Sequence, residues 1–480
     1  MEFGALVQRL TSPRVAVFLV FVGSLFMSIM DGTIVNVALP TISRDFGVGV
    51  AATDVIVVAY LVSMAVTIPV AGWVGDRWGS KRTFLAALAL FALASALCGL
   101  AATLGQLVGA RILQGAASGV LSPVGTAMLY RTFLPHERVR VSRIMIVPTV
   151  IAPASGPVLG GFLIDRLSWH WVFFVNVPLG LLILLFGLLY LRDHREPHAG
   201  GFDLAGFVLA SVGFALLMYA VTQSGVYGWG SWRILASLAV GLAALVALVL
   251  VELRQAHPMI QPRLFGNHLF RTSNLISLFG QAGFIGLLFA VPLFLQQGLG
   301  YSALETGLST FPEALGVLFS SQIVGRLYSR VGPRRLMGFG LLWVTAMIGL
   351  FCLVGPGTSL WIVRLLMFGT GAGMAYVFLP VGVAAFATIS SADTGRASVL
   401  FNAQNQLGGA SGVALISGIL AAVGAGTAQS RLTGYYAGFA TAAALALLGA
   451  LIAFTLRDSE AAASMRANAS GAEPPPAAMH

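Results

Sequence analysis

Apolar runs, each about as long as the 19 to 20 residues needed to cross a bilayer, follow one another along almost the whole chain with only short polar breaks between them. Fourteen candidate spans begin near Val15, Val55, Thr83, Gln106, Ile144, Val172, Leu204, Ile234, Asn274, Leu304, Leu336, Trp361, Val399 and Ala437. Runs of this length predict helices, because in hydrocarbon a helix satisfies its own backbone donors and acceptors. The strict alternation of a transmembrane barrel is missing. The expected fold class is therefore an all-α polytopic membrane protein, with no room for a soluble domain of useful size.

Composition agrees with the pattern. Hydrophobic residues make up 58%, charged residues 9%, and the mean hydropathy is +0.89, whereas a soluble domain carries about 25% charged residues. The few charges are unevenly placed. Of the 27 Lys and Arg, 21 fall on the side that holds both ends, in groups such as Arg77 to Arg82, Arg131 to Arg143 and Arg326 to Arg335. The other side has 4, and Arg111 and Arg364 lie inside spans. This positive-inside asymmetry places both termini in the cytoplasm of a multi-pass plasma-membrane protein. It also accounts for the net charge of +10 without any nucleic acid. The first apolar stretch is too long for a cleaved signal and lacks a small-residue cleavage site, so it is expected to remain as the first span. Cys98 and Cys352 lie in spans without metal-ligand spacing, and no disulfide is expected. The Ala-, Ser- and Pro-rich end, 458–480, reads as a disordered cytoplasmic tail.

The segment Gly72-Trp73-Val74-Gly75-Asp76-Arg77-Trp78-Gly79-Ser80-Lys81-Arg82 recurs 253 residues later as Gly325-Arg326-Leu327-Tyr328-Ser329-Arg330-Val331-Gly332-Pro333-Arg334-Arg335 (325 minus 72). Arg111 recurs as Arg364 at the same offset. Two matches at one offset indicate duplication. The expected organisation is a six-helix half over 1–195, two inserted helices over 196–262, and a second six-helix half over 263–457. Ser329 replaces Asp76 in the second copy, so any function of that loop is expected to rest mainly on the first.

Asp31 stands alone in the first span. Desolvation disfavours the charged form of a carboxylate, which suits a group that loads and releases protons, with Thr33 and Asn36 expected to hold it by hydrogen bonds. Arg111 cannot lose its proton and is expected to line a central cavity. Glu313, beside Pro312, is the second intramembrane acid, and either acid could instead attract a cationic substrate. Asn402, Gln404, Asn405 and Gln406 are unusually polar for a span and, with Asn36, are candidates for a substrate cavity. Gly156 and Pro157 weaken one helix where Gly160 and Gly161 admit a neighbour. The Gly115/Gly119, Gly369/Gly373 and Gly408/Gly412 pairs read as plain helix packing. The segment Trp169 to Pro178 reads as an interfacial aromatic belt.

Four stretches together carry a resemblance. Gly72 to Arg82 looks like G-x-L-a-D-R-x-G-r-k-r, with Val74 at the Leu position. Arg111-Ile112-Leu113-Gln114-Gly115 resembles R-x-x-Q-G. Ala152 to Gly161 is similar to G-x-x-x-G-P-x-x-G-G, with Ala152 for its first Gly, and Asp31 to Pro40 to D-x-T-V-V-N-V-A-L-P, preceded by Met30 where Leu is usual. On these grounds the chain resembles the major facilitator superfamily, and within it the fourteen-span drug:proton antiporters. The resemblance implies two six-helix pseudo-repeats with the substrate site between them. It further implies a gating latch at Gly72, Asp76, Arg77, Gly79, Lys81 and Arg82, an antiporter motif at Gly156, Pro157, Gly160 and Gly161, and proton coupling through Asp31, Arg111 and Glu313. The implied partners are an amphipathic small molecule, protons and the bilayer, acting on a monomer. No cofactor is implied, since the proton gradient supplies the energy. An exporter of one endogenous metabolite is the nearer alternative. A passive channel or a membrane enzyme is the more distant one, with no nucleotide-binding loop, His-rich cluster or nucleophile constellation visible.

Overall fold

A computed structural model describes residues 12–48, 50–195, 201–255, 261–423, 428–462 and 465. Among these, sixteen α-helices and no strands occur. They are α1 (Pro13–Asp45), α2 (Val50–Trp78), α3 (Ser80–Gly99), α4 (Leu104–Thr132), α5 (Pro135–Arg166), α6 (Trp171–Phe174), α7 (Asn176–Tyr190), α8 (Leu204–Tyr227) and α9 (Trp232–Glu252). After a 3-10 turn at Pro262–Gly266 come α10 (His268–Leu293), α11 (Ala303–Thr310), α12 (Pro312–Val331), α13 (Pro333–Leu350), α14 (Leu360–Ala385), α15 (Thr394–Val423) and α16 (Ala428–Ala453).

Eleven described helical segments are long and apolar enough to cross a membrane. The remaining long helical stretches fall short for local reasons. α5 begins with Glu137, Arg138, Arg140 and Arg143, and α15 carries Arg396 and a run of amides. The stretch expected to start near Leu304 is broken at Phe311, because Pro312 lacks the N–H that would continue α11.

Packing repeats along the chain. α1 packs on α4, α5 and α7, while α10 packs on α14, α15 and α16; the α2/α4 and α3/α4 pairs have their counterparts in α12/α14 and α13/α14. The α8–α9 hairpin leans on α2 and α15. Contacts between the two sets of helices run along two seams, α2 and α4 against α15, and α5 against α12 and α14.

The repeated glycine motifs turn the chain in the same way twice. Gly79 and Gly332 hold φ of +101° and +85°, conformations that disfavour a side chain. Beside each sits a carboxylate from the far end of its own half. Asp193 Oδ1 accepts from the Lys81 backbone N–H at 3.2 Å, and Asp458 Oδ1 from that of Arg334 at 2.9 Å. Each caps the exposed donors at a helix N-terminus and complements its dipole. Glu460 also meets His268 at 2.9 Å. The chain is thus held at Asp458 and Glu460, the start of the stretch expected to be disordered; the rest of that stretch, 463–464 and 466–480, lies outside the described residues.

Candidate functional site

Asp31 is fully buried in α1 and Arg111 is 1% exposed in α4. Arg111 Nη1 donates to Asp31 Oδ2 at 2.6 Å and to Gln114 Oε1 at 2.7 Å. The other carboxylate oxygen, Oδ1, accepts from Gln114 Nε2 at 2.9 Å and from Asn176 Nδ2 at 2.8 Å. Ser95 Oγ accepts from both amides at 3.2 Å and donates to the Phe173 carbonyl. The guanidinium lies 4.1 Å from the centroid of the Tyr60 ring. Tyr60, Ser118 and Ser28 extend the network toward the α1/α4 face. An ion pair so enclosed is tolerated because nearly every polar atom has a partner, and removing one member would strand the other.

Two expectations are corrected here. Thr33 and Asn36 do not hold Asp31; their side chains bond the Met30 and Gly32 carbonyls of their own helix. At 3.6 residues per turn they lie about 200° and 140° round the helix from Asp31. Nor does Arg111 face an open cavity, since Asp31, Gln114 and Tyr60 enclose it. The partners that hold the carboxylate come from α4 and α7. Gln114 was visible inside its motif, whereas Asn176 was absorbed into the supposed aromatic belt. That stretch is divided: Trp171 is 47% exposed, while Trp169, Phe173 and Asn176 face inward. A lone amide in an apolar run was the available signal.

The second half has no copy of this cluster. At the repeat offset, Phe284, Ile348 and Met367 stand for Asp31, Ser95 and Gln114, and all three are buried. Arg364 stacks on Trp361 at 4.5 Å, and its buried Nε has no hydrogen-bond partner. Glu313 begins α12, with its backbone carbonyl against Gly371 of α14. It is not joined to the Asp31 cluster.

At the arginine-rich end, Asp76 Oδ1 accepts from Arg131 Nη2 at 2.8 Å, both side chains being nearly buried. Arg131 Nε also donates to the Ser391 carbonyl just before α15, and a Cβ on Gly395 would meet the Asp76 carboxylate at 2.8 Å. Gly72 lies against Gly395 and Val399. Arg138 donates to the Phe386 carbonyl at 2.7 Å, Ser398 to that of Pro123 and Ser122 to Asn402. This end is therefore closed by contacts across the seam. Lys81 and Arg82 instead tie to α7 and its following turn, through the Leu188 carbonyl and Asp193, and Arg77 is exposed.

The thirteenth-span amides do not line one open chamber in this conformation. Asn402 bonds Ser122, Asn405 accepts from Ser277, and Gln406 approaches Met64 Sδ at 3.6 Å. Asn36 is exposed on α1. In the glycine motif, Gly156 and Gly160 sit against Thr33 and Ile34, so α5 and α1 approach backbone to backbone. Gly161 points into open space and has no part in that approach. The helix runs unbroken through position 157, and the Pro157 side chain lies outside the described residues.

Residues 21–203 and 274–478 match the family model described as Major Facilitator Superfamily. The chain is 33% identical over 399 residues to the Multidrug resistance protein B homolog of Mycobacterium tuberculosis, covering 82% of this chain and 74% of that one. It is 33% identical over 346 residues to the Putative multidrug resistance protein MdtD of Pectobacterium carotovorum, covering 72% and 74%. Among solved structures, the human organic anion transporter MFSD10 (TETRAN) superposes with a TM-score of 0.68 at 17% identity, covering 92% of this chain and 99% of that one. The proton:xylose symporter XylE superposes with a TM-score of 0.65 at 15% identity, covering 95% and 98%. These two likenesses concern the fold alone.

Proposed function

We propose, from the premise that the chain belongs to the Major Facilitator Superfamily, that it is a proton-coupled antiporter exporting amphipathic drugs or toxic compounds across the plasma membrane. The direction and substrate class follow its relatives, which are named for multidrug resistance. Proton coupling rests on one observation: a fully buried carboxylate paired with an arginine inside a membrane helix bundle. In this reading the chain crosses fourteen times, with α5, α11–α12 and α15 adding to the eleven most apolar segments and both termini cytoplasmic. The repeated packing supports two six-helix halves, 1–195 and 263–457, with 196–262 inserted.

Asp31 and Arg111 hold each other while Asp31 is charged. A proton arriving from outside neutralises Asp31 and removes its pull on Arg111, Gln114 and Asn176. The consequence reaches the seam through two rigid elements. α4 carries Arg111 and, five to six turns on, Arg131; α2 carries Tyr60 over the guanidinium and, about four turns on, Asp76. Rearrangement of the cluster thus bears on both partners of the latch, and opening the seam exposes Asn402, Asn405 and Gln406 to a substrate from the cytoplasm or inner leaflet. Each proton entering supplies about 2.3 kcal/mol per 100 mV, which supports roughly a fiftyfold gradient of a neutral solute.

Purified protein in proteoliposomes with an imposed pH gradient tests this. Dye movement should follow the gradient and stop when a protonophore collapses it. Movement that ignores the gradient excludes proton coupling, and transport of one compound among many unrelated ones would mark a dedicated exporter.

A further inference from the structure

At the arginine-rich end, α5 and α12 flank an opening of about 380 Å³ lined by Arg140, Arg143, Gly325, Arg326, Ser329 and Arg330. Four arginines line it, Arg143 half-buried and the other three exposed, and among the described residues none of them has a carboxylate partner. Like charges gathered round one opening repel one another, and an anion between them would relieve that repulsion. Gly325 makes the approach possible, since a Cβ there would meet Arg143 Cδ at 2.9 Å.

The repeat says what is missing. Ser329 stands 253 residues after Asp76 (329 minus 76), and the α12/α5 seam is the counterpart of the α2/α15 seam. In the first copy the Asp76 carboxylate neutralises Arg131 between the two helices. In the second copy a hydroxyl replaces the carboxylate, and arginines surround the space. We propose that this opening binds a phosphate-bearing anion, which takes the place of the absent carboxylate and ties α12 to α5. Arginine suits the task, because its fork matches phosphate oxygens two at a time.

The surroundings favour the headgroup of an acidic phospholipid over a soluble phosphate. On the faces of α5 and α12 that carry Arg140, Arg326 and Arg330, Ile144, Ile151, Phe319 and Ile323 are 46%, 45%, 64% and 51% exposed. Positions 319, 323, 326 and 330 form one stripe at helical spacing, as do 140, 144 and 151. Apolar surface for acyl chains therefore continues directly from the basic opening into the bilayer. The inference is independent of what the protein transports.

Native mass spectrometry of the full-length protein, titrated with phosphatidylglycerol or with phosphatidylcholine, tests it. Phosphatidylglycerol should be retained about tenfold more tightly. Arg143→Gln combined with Arg326→Gln should remove that preference, and so should Ser329→Asp, which supplies the carboxylate internally and leaves the fold undisturbed. Arg335→Gln, on the same end but outside the opening, should keep it. Loss of the preference in that control as well would mean general surface charge and would overturn the site. Equal retention of the two lipids, with no thermal stabilisation by inorganic phosphate, would overturn it too. Stabilisation by inorganic phosphate alone, abolished by Ser329→Asp, would retain the anion site and assign it to a soluble ligand.

Discussion

Asp31 is not a bare carboxylate waiting in a cavity but one half of a caged ion pair, and this changes what its replacement should do. Asp31→Asn leaves Arg111 buried with no counter-charge, a loss of about 3–5 kcal/mol for a broken buried pair. The variant should insert, unfold at lower temperature and lose gradient-driven export. Adding Arg111→Gln should restore much of the thermal stability without restoring export. Normal pumping by the double variant would show that the pair serves folding only. Glu313 calls for a different measurement, because it stands outside the cluster. A carboxylate exposed to substrate attracts a cation about fourfold more strongly at an effective dielectric near 20 than in water. Glu313→Gln should therefore weaken export of a cationic dye more than that of a neutral one of equal size, and equal losses would remove it from the substrate path. Asp31 and Arg111 were legible because a lone charge in an apolar run is conspicuous. Asn176 was less so: a lone amide in an apolar run stands out, but nothing local reveals which helix face meets α1.

At the scale of elements, the same device closes both halves: an aspartate after the last helix of each half caps the helix that follows the glycine turn. Asp193→Ala and Asp458→Ala should each lower stability by about 1 kcal/mol, the usual cost of a lost N-cap, read as a drop in unfolding temperature in detergent. No loss in either case would reduce these contacts to incidental surface pairs. The repeated glycine segments were readable in the chain, and with them the turns at Gly79 and Gly332. The capping aspartates were not, because their offset differs from that of the loops they serve: Asp193 to Asp458 is 265 residues (458 minus 193), not 253. Helix α5 begins well before its predicted span near Ile144, because its first turns carry Glu137, Arg138, Arg140 and Arg143, and Pro312 divides what hydropathy predicts as one span.

For the molecule as a whole, the two seams at the arginine-rich end are built differently. The α2/α15 seam is neutralised internally by Asp76 and Arg131, with Gly395 at the first turn of α15 beside the carboxylate. The α5/α12 seam has Ser329 at the matching place. Asp76→Asn should thus loosen the closed state, seen as faster thiol labelling of a reporter cysteine at position 402, and slow turnover while leaving substrate affinity in the inward-open state nearly unchanged. Ser329→Ala should do far less. Equal damage from the two would refute the asymmetry.

Local chemistry was enough to read an all-helical membrane protein, the repeat at 253 residues and the positions of the charges inside the spans, because hydrophobicity, charge placement and glycine-rich turns act over a few residues or one helix length. The partners of those charges were decided only by the tertiary structure. Which side chains meet Asp31 depends on the rotation of α4 and α7 about their own axes, and Asp76 meets Arg131 and Gly395 only because three helices distant in sequence end at one seam. A span predicted from hydropathy carries no information about its rotation when all its faces are apolar. Packing, through glycines that let backbones approach and polar groups that must find one another out of water, supplies it.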